Sequence, residues 1–205
     1  MLWDWAEQPY PTIMQTFIFP VYLAGAVATA AQNPDQAIGW ATAGAGVALA
    51  LIAPVLGRRS DENGRRKFWL VTNTMILVAI MATSFFVEPK PEFFLFGLVL
   101  YALGSLVQES AFINYYAMLK GVTKESNIGR ISGFAWGLGY VGGIILLMVS
   151  LVGFVLPEVP LFEIPTNDSI NIRSIFLFSA VWTLLFSIPL ILFVPEIPRK
   201  DIGTK

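Results

Sequence analysis

The chain has 205 residues, 56% of them hydrophobic and 13% charged, with a net charge of −1 and a mean hydropathy of +0.67. It contains neither Cys nor His, which excludes disulfide scaffolds, thiolate metal sites and imidazole chemistry. The lack of a basic surplus argues against a nucleic-acid partner, and no metal or cofactor is expected.

So apolar a chain reads as an all-α integral membrane protein whose first partner is the lipid bilayer. Met1-Leu2-Trp3-Asp4 lacks the basic start of a cleavable signal. Six apolar spans follow, over residues 12–31, 37–56, 68–87, 93–119, 131–156 and 172–194. Each suits a hydrocarbon core that takes about 20 helical residues to cross. None shows the polar alternation of a barrel strand. Residues 1–205 are therefore expected to form a single six-helix membrane domain. Asn33-Pro34-Asp35 makes a turn after the first span, and Glu88-Pro89-Lys90-Pro91-Glu92 joins the third to the fourth. Residues 157–171 carry Pro157, Pro160 and Pro165 and are expected to be loosely ordered. Pro20, Pro54 and Pro189 predict kinks within spans.

Charge sets the orientation. Eleven of the thirteen Lys and Arg fall on one side, in residues 57–67, in the link after the fourth span and in the tail. By the positive-inside rule both termini are cytoplasmic, in the cell membrane. Five of these cations sit in GRRSDENGRRK, residues 57–67. Gly57 and Gly64 permit a tight turn with φ > 0. Asp61 can pair with Arg65 or Arg66, or cap a neighbouring helix. With Lys67, these residues are read as a cytoplasmic latch that forms in one state and breaks in another.

The spacing Gly57-x-x-x-Asp61-x-x-Gly64-Arg65-Arg66-Lys67, between the second and third spans, resembles the signature loop of the major facilitator superfamily. Trp3-Asp4-Trp5-Ala6, Phe17-Ile18-Phe19-Pro20-Val21-Tyr22, Phe112-Ile113-Asn114-Tyr115-Tyr116 and the block from Gly129 through Gly143 resemble its vacuole-effluxer-like (Atg22-like) members. The resemblance covers the whole chain, but only half of the family's twelve-helix length. It implies a six-helix half built as two inverted three-helix repeats. It also implies a half-transporter subunit of a secondary active transporter for small solutes such as amino acids, working as a homodimer or with a second six-helix half. The alternative is a non-transporting docking or structural subunit of a larger complex. No enzyme is expected, since no nucleophile–base pair or phosphate loop occurs. The chain departs from the family at Glu7-Gln8-Pro9-Tyr10-Pro11, where small residues and Asn are usual. Two prolines cannot sit inside a regular helix, although Pro11 suits a first turn.

An ionisable residue inside hydrocarbon is a functional candidate. Glu109, in the fourth span, is the clear one and is read as a proton-coupling or substrate group. Tyr116 lies on its helix face, and Asn114 and Gln15 join as candidates. The resemblance puts Gln15 on a cavity-lining helix. Asn73 is read as packing, Arg130 as snorkelling, and Asp4 and Glu7 as lying in the headgroup region. Gly137-x-Gly139-x-x-Gly142 spells a dinucleotide fingerprint but lacks the preceding strand. Gly133, Gly137, Gly139 and Gly143 are read instead as a helix-packing face, as are Gly39, Ala43, Gly46 and Ala50. If the latch operates, Asp61→Asn slows solute flux while membrane insertion is unchanged, as measured by transport rate per inserted molecule.

Overall fold

The computed structural model describes residues 2–122 and 127–196, except the side chains at 56, 59–63 and 119–122. The chain opens with a short helix α1 (Leu2–Glu7). Five longer helices follow: α2 (Pro34–Asn63), α3 (Arg66–Ser84), α4 (Phe94–Val122), α5 (Ile128–Ser150) and α6 (Ile170–Phe193). All five are long and apolar enough to cross a membrane.

The first expected span is helical but irregular. After α1 come a wide π-helical stretch (Tyr10–Phe17), one α-helical turn (Phe19–Tyr22) and a second π-helical stretch (Leu23–Val27). Pro9, Pro11 and Pro20 have no N–H to give, so the regular ladder cannot pass through them. The chain widens instead of stopping. Ile18 N–H reaches back five residues to the Ile13 carbonyl at 3.1 Å, and Ala28 N–H to Leu23 at 2.9 Å. The Thr16 hydroxyl donates to the Pro11 carbonyl at 2.7 Å. The helical path therefore starts at Leu2, ten residues before the expected start, with Pro9 and Pro11 inside it.

α3 packs between α4 and α6, α2 lies against α4, and α1 wedges against α5 and α6. The irregular segment threads the middle, where Tyr10, Ile13, Met14, Phe19 and Leu23 are fully buried. Phe19 meets Phe176 of α6 edge to face at 5.0 Å. Lipid is as apolar as these side chains, so close packing rather than expulsion from water must hold them. Glycine supplies the closeness. A Cβ on Gly104 would fall 2.2 Å from the Tyr10 hydroxyl, and one on Gly97 2.4 Å from Leu23 Cδ2. On α5, a Cβ at Gly142 would meet Trp5 at 2.8 Å and one at Gly143 would meet Thr12 Oγ1 at 2.8 Å. Gly139 faces the Asp4 carbonyl at 3.1 Å. Gly133 and Gly137 meet nothing within 4 Å, nor do Gly39 and Gly46 on α2. The expected α5 glycine face is thus split, one part gripping α1 and the other left open.

α2 is the outlier in packing. Only 6% of its spanning window is buried, against 39% to 44% for the other four. It also runs on through Gly57 to Asn63, so the turn in the basic loop is confined to Gly64 and Arg65, with Gly64 at φ 59. Gly57 is helical rather than a turn residue. Asp61 lies near the end of α2, with its side chain outside the described residues.

At the opposite end, polar contacts anchor the start of α6. Asn171 Nδ2 donates to the Phe154 carbonyl at 2.8 Å. Buried Arg173 donates through Nε to the Phe85 carbonyl at 2.6 Å and lies 4.9 Å over the Phe85 ring. Gly104→Val and Gly142→Val should each destabilise the bundle by about 1–3 kcal/mol through overpacking, while Gly137→Ala should be neutral. Thermal unfolding in a mild detergent checks both.

Candidate functional site

α1 carries two carboxyls three residues apart on its inward face, interleaved with Trp3, Ala6 and Tyr10. Asp4 is 3% and Glu7 5% exposed, so both are buried within the bundle. The cause is the early helix start, which carries both side chains into the bundle against α4. There the Tyr115 hydroxyl donates to Asp4 Oδ2, and Gln108 Nε2 donates to Glu7 Oε2. Gln8 Nε2 donates to the other Glu7 oxygen at 2.8 Å. Trp3 braces the site: its ring lies 4.4 Å from that of Tyr115, and its Nε1 donates to Thr74 Oγ1 at 3.1 Å.

Both oxygens of Glu7 are thus held by neutral amides. No Lys or Arg among the described residues donates to them. Gln108 is itself 2% exposed, and its carbonyl Oε1 is buried without a hydrogen-bond partner. Buried polar atoms are rarely left so, and this one sits on the amide that holds Glu7.

The residues singled out from sequence do not converge. Glu109 and Tyr116 share the exposed face of α4, where the Tyr116 hydroxyl accepts from Trp136 Nε1 at 2.9 Å. Gln15 donates to Ser105 Oγ at 3.4 Å. Asn114 is buried and donates to its own helix at the Ser110 carbonyl, 2.9 Å. Asn73, read as packing, donates to Ser110 Oγ at 3.1 Å. Glu7 lies within electrostatic reach of both Asp4 and Glu109, and Tyr116 within reach of all three. Hydrogen bonds join Asp4 to Tyr115 and Glu7 to Gln8 and Gln108 in one buried cluster, with Glu109 and Tyr116 on the adjoining exposed face of α4. The described residues offer no group of carboxylates suited to holding a metal ion.

A groove of about 470 Å³ opens beside the cluster, between the irregular segment and α5. Gln8, Pro11, Thr12, Phe17, Tyr140 and Gly143 line it. Gln8 links it to Glu7, and Tyr140 packs on Trp136 with rings 5.6 Å apart.

At the basic end, Arg66 Nη1 donates to the Ala117 carbonyl of α4 at 2.9 Å. The Glu196 carboxylate accepts the backbone N–H groups of Lys67 at 2.7 Å and Phe68 at 3.2 Å. A carboxylate from beyond α6 thus caps the positive N-terminal end of α3. Arg65 is exposed, and Lys67 contributes its backbone to this contact.

Comparison with known proteins agrees with this arrangement of long apolar helices. The family model described as Major Facilitator Superfamily matches residues 12–205. The chain belongs to the major facilitator superfamily. It is 28% identical over 195 residues to an uncharacterised MFS-type transporter, YxiO, of Bacillus subtilis (strain 168). That match covers 93% of this chain and 44% of the relative, so the chain spans less than half the length of that protein. No solved structure matches it. As a superfamily member with five helices, among the described residues, that are long and apolar enough to cross a membrane, it is an integral membrane protein.

Glu196→Ala should leave two α3 amides uncapped and cost about 1 kcal/mol. Hydrogen exchange at the Lys67 and Phe68 amides should quicken, with Ala82 as the unaffected control.

Proposed function

We propose that the chain is one six-helix domain of two inverted three-helix repeats, acting as half of a proton-coupled transporter for small solutes such as amino acids, in the manner of the vacuole-effluxer-like branch. It lies in the cell membrane with both termini in the cytoplasm. Glu7, rather than Glu109, carries the coupling proton. The observation behind this reading is a carboxyl buried among apolar helices, held by two neutral amides with no Lys or Arg among the described residues donating to it. Such a group is costly in lipid unless its charge is functional.

Asp4, Glu109, Tyr115 and Tyr116 are the other titratable groups around it. Glu109, on the open face, relays protons between water and Glu7. The second half is a six-helix body, either a second copy of this chain or a different one, seated against α2 and the open part of α5. The sparse burial of α2, which among the described residues packs mainly on α4, supports this.

The experiment is solute flux in proteoliposomes holding the complete assembly, with and without a proton gradient, over a panel of labelled amino acids. Glu7→Gln should abolish gradient-driven accumulation and preserve solute exchange at equal pH. Gradient-driven accumulation that survives Glu7→Gln would remove Glu7 from the coupling role. A complete lack of flux, with the chain bound in an unrelated complex, would favour the docking-subunit reading.

A further inference from the structure

The Gln8 side chain lies against α5 at two glycines one turn apart, which leave room for it. A Cβ on Gly139 would fall 3.1 Å from Gln8 Nε2, and one on Gly143 2.9 Å from Gln8 Oε1. The same Cβ on Gly143 would meet Thr12 Oγ1 at 2.8 Å. The amide gives one N–H to Glu7 Oε1 at 2.8 Å, and its carbonyl accepts the Thr12 hydroxyl at 3.5 Å. An amide carries two N–H donors, and Gln8 is half-buried at the wall of the groove between the irregular segment and α5. The second N–H is therefore available to whatever enters.

That groove, of about 470 Å³, is uncharged. Its polar lining is amide and hydroxyl: Gln8, Thr12, Thr16 and Tyr140. The remaining lining is apolar and includes Ile144 and Leu147, and no Asp, Glu, Lys or Arg lines it among the described residues. Glu7 is set back behind Gln8, buried, with both oxygens taken by amides. An ion entering the groove would exchange its water for neutral dipoles alone, which is costly. A neutral solute meets no such penalty. Tyr140 and Ile144 are exposed and offer a ring face and a branched alkyl surface for an apolar body to lie on.

We infer that the groove takes an uncharged solute, or the uncharged end of one, which hydrogen-bonds the Gln8 amide and lays its apolar body on Tyr140, Ile144 and Leu147. Gly143 sets how closely that end approaches Gln8 and Thr12. This rests on the transport reading, for which it names what the solute presents to this half. A charged end, where the solute has one, falls to the second half. The specificity is by exclusion as much as by attraction, since the groove supplies no countercharge for either sign.

Equilibrium binding of radiolabelled N-acetyltyramine to the full chain in lipid nanodiscs, corrected for empty nanodiscs, tests this at one neutral pH and without a gradient. Tyramine and 3-(4-hydroxyphenyl)propanoate offer a similar body with a cationic and an anionic end, and serve as competitors. The neutral compound should bind at least about tenfold more tightly than either. Gln8→Leu should weaken it about fivefold, the loss of one hydrogen bond. Gly143→Ala, which sets a methyl against Gln8 and Thr12, should weaken it severalfold, while Gly137→Ala leaves it unchanged. Tyr140→Leu, at an exposed position, should also weaken it severalfold and keeps the test decisive if Gln8→Leu misfolds. Equal or tighter binding of either ion, or an affinity unchanged by both Gly143→Ala and Tyr140→Leu, would overturn the assignment. Neutral-selective binding with no flux in the complete assembly would sink the transport reading and leave the groove site standing. Gradient-driven flux that needs Glu7, with no preference among the three compounds, would sink the groove site alone.

Discussion

Lipid offers no hydrogen bonds, so each polar group on the irregular first segment must be answered from within the bundle. α4 supplies most of the answers. Tyr10 donates to the Tyr101 carbonyl at 2.8 Å, Gln15 to Ser105, Gln108 to Glu7 and Tyr115 to Asp4. Positions 101, 105, 108 and 115 recur at helical spacing, so one face of α4 is keyed to one face of the segment. Gly97 and Gly104 lie on that same face and let the two backbones meet. Such bonds contribute about 0.6 kcal/mol each in a membrane, so their main effect is to fix register. Contact across the glycines supplies the attraction.

Polar contacts also clamp the two ends of the bundle. At one end Arg173 and Tyr22 tie α6 and the first segment to the turn after α3, Tyr22 donating to the Val87 carbonyl at 2.7 Å. At the other, Arg66 and Glu196 tie the start of α3 to the end of α4 and the stretch beyond α6. Between the clamps, the exposed face of α2 and the open part of α5 are almost bare of polar ties. A bundle fastened at both ends and smooth along one side is suited to sliding against another apolar body.

Much of the fold was legible in the sequence because it rests on length and hydropathy alone: five of the six expected spans are long apolar helices, and the charge is concentrated at residues 57–67. The site was harder to see. Glu109 drew attention as the lone charge in an apolar run, and the structure leaves it on an exposed face. Asp4 and Glu7 were read as lying in the headgroup region because the first span was started at residue 12, beyond both of them. The overlooked signal was the inward spacing of Trp3, Ala6 and Tyr10 about those carboxyls, which reads as helix whatever the prolines do. Gln108 and Glu196 could not be found from sequence, since each acts through a partner about a hundred residues away or more. The α5 glycines predicted close packing, but which of them would be gripped depended on where α1 lay.

The π-helical stretches give the first segment a phase as well as a path. A wide turn holds one more residue than an α-helical turn, and each residue turns a helix by about 100°. Tyr10 and Ile13 within the Tyr10–Phe17 stretch, Phe19 after it, and Asp4 and Glu7 before it all face inward together. The wide turn takes up its surplus residue locally, so the helix on either side keeps its facing. Wound as regular helix, the same residues would turn α1 by about a further 100° about its axis, and the carboxyls would face a different neighbour although no side chain of the site had changed. The chemistry of this half therefore depends on how the residues between Glu7 and Phe19 are wound as much as on their identity.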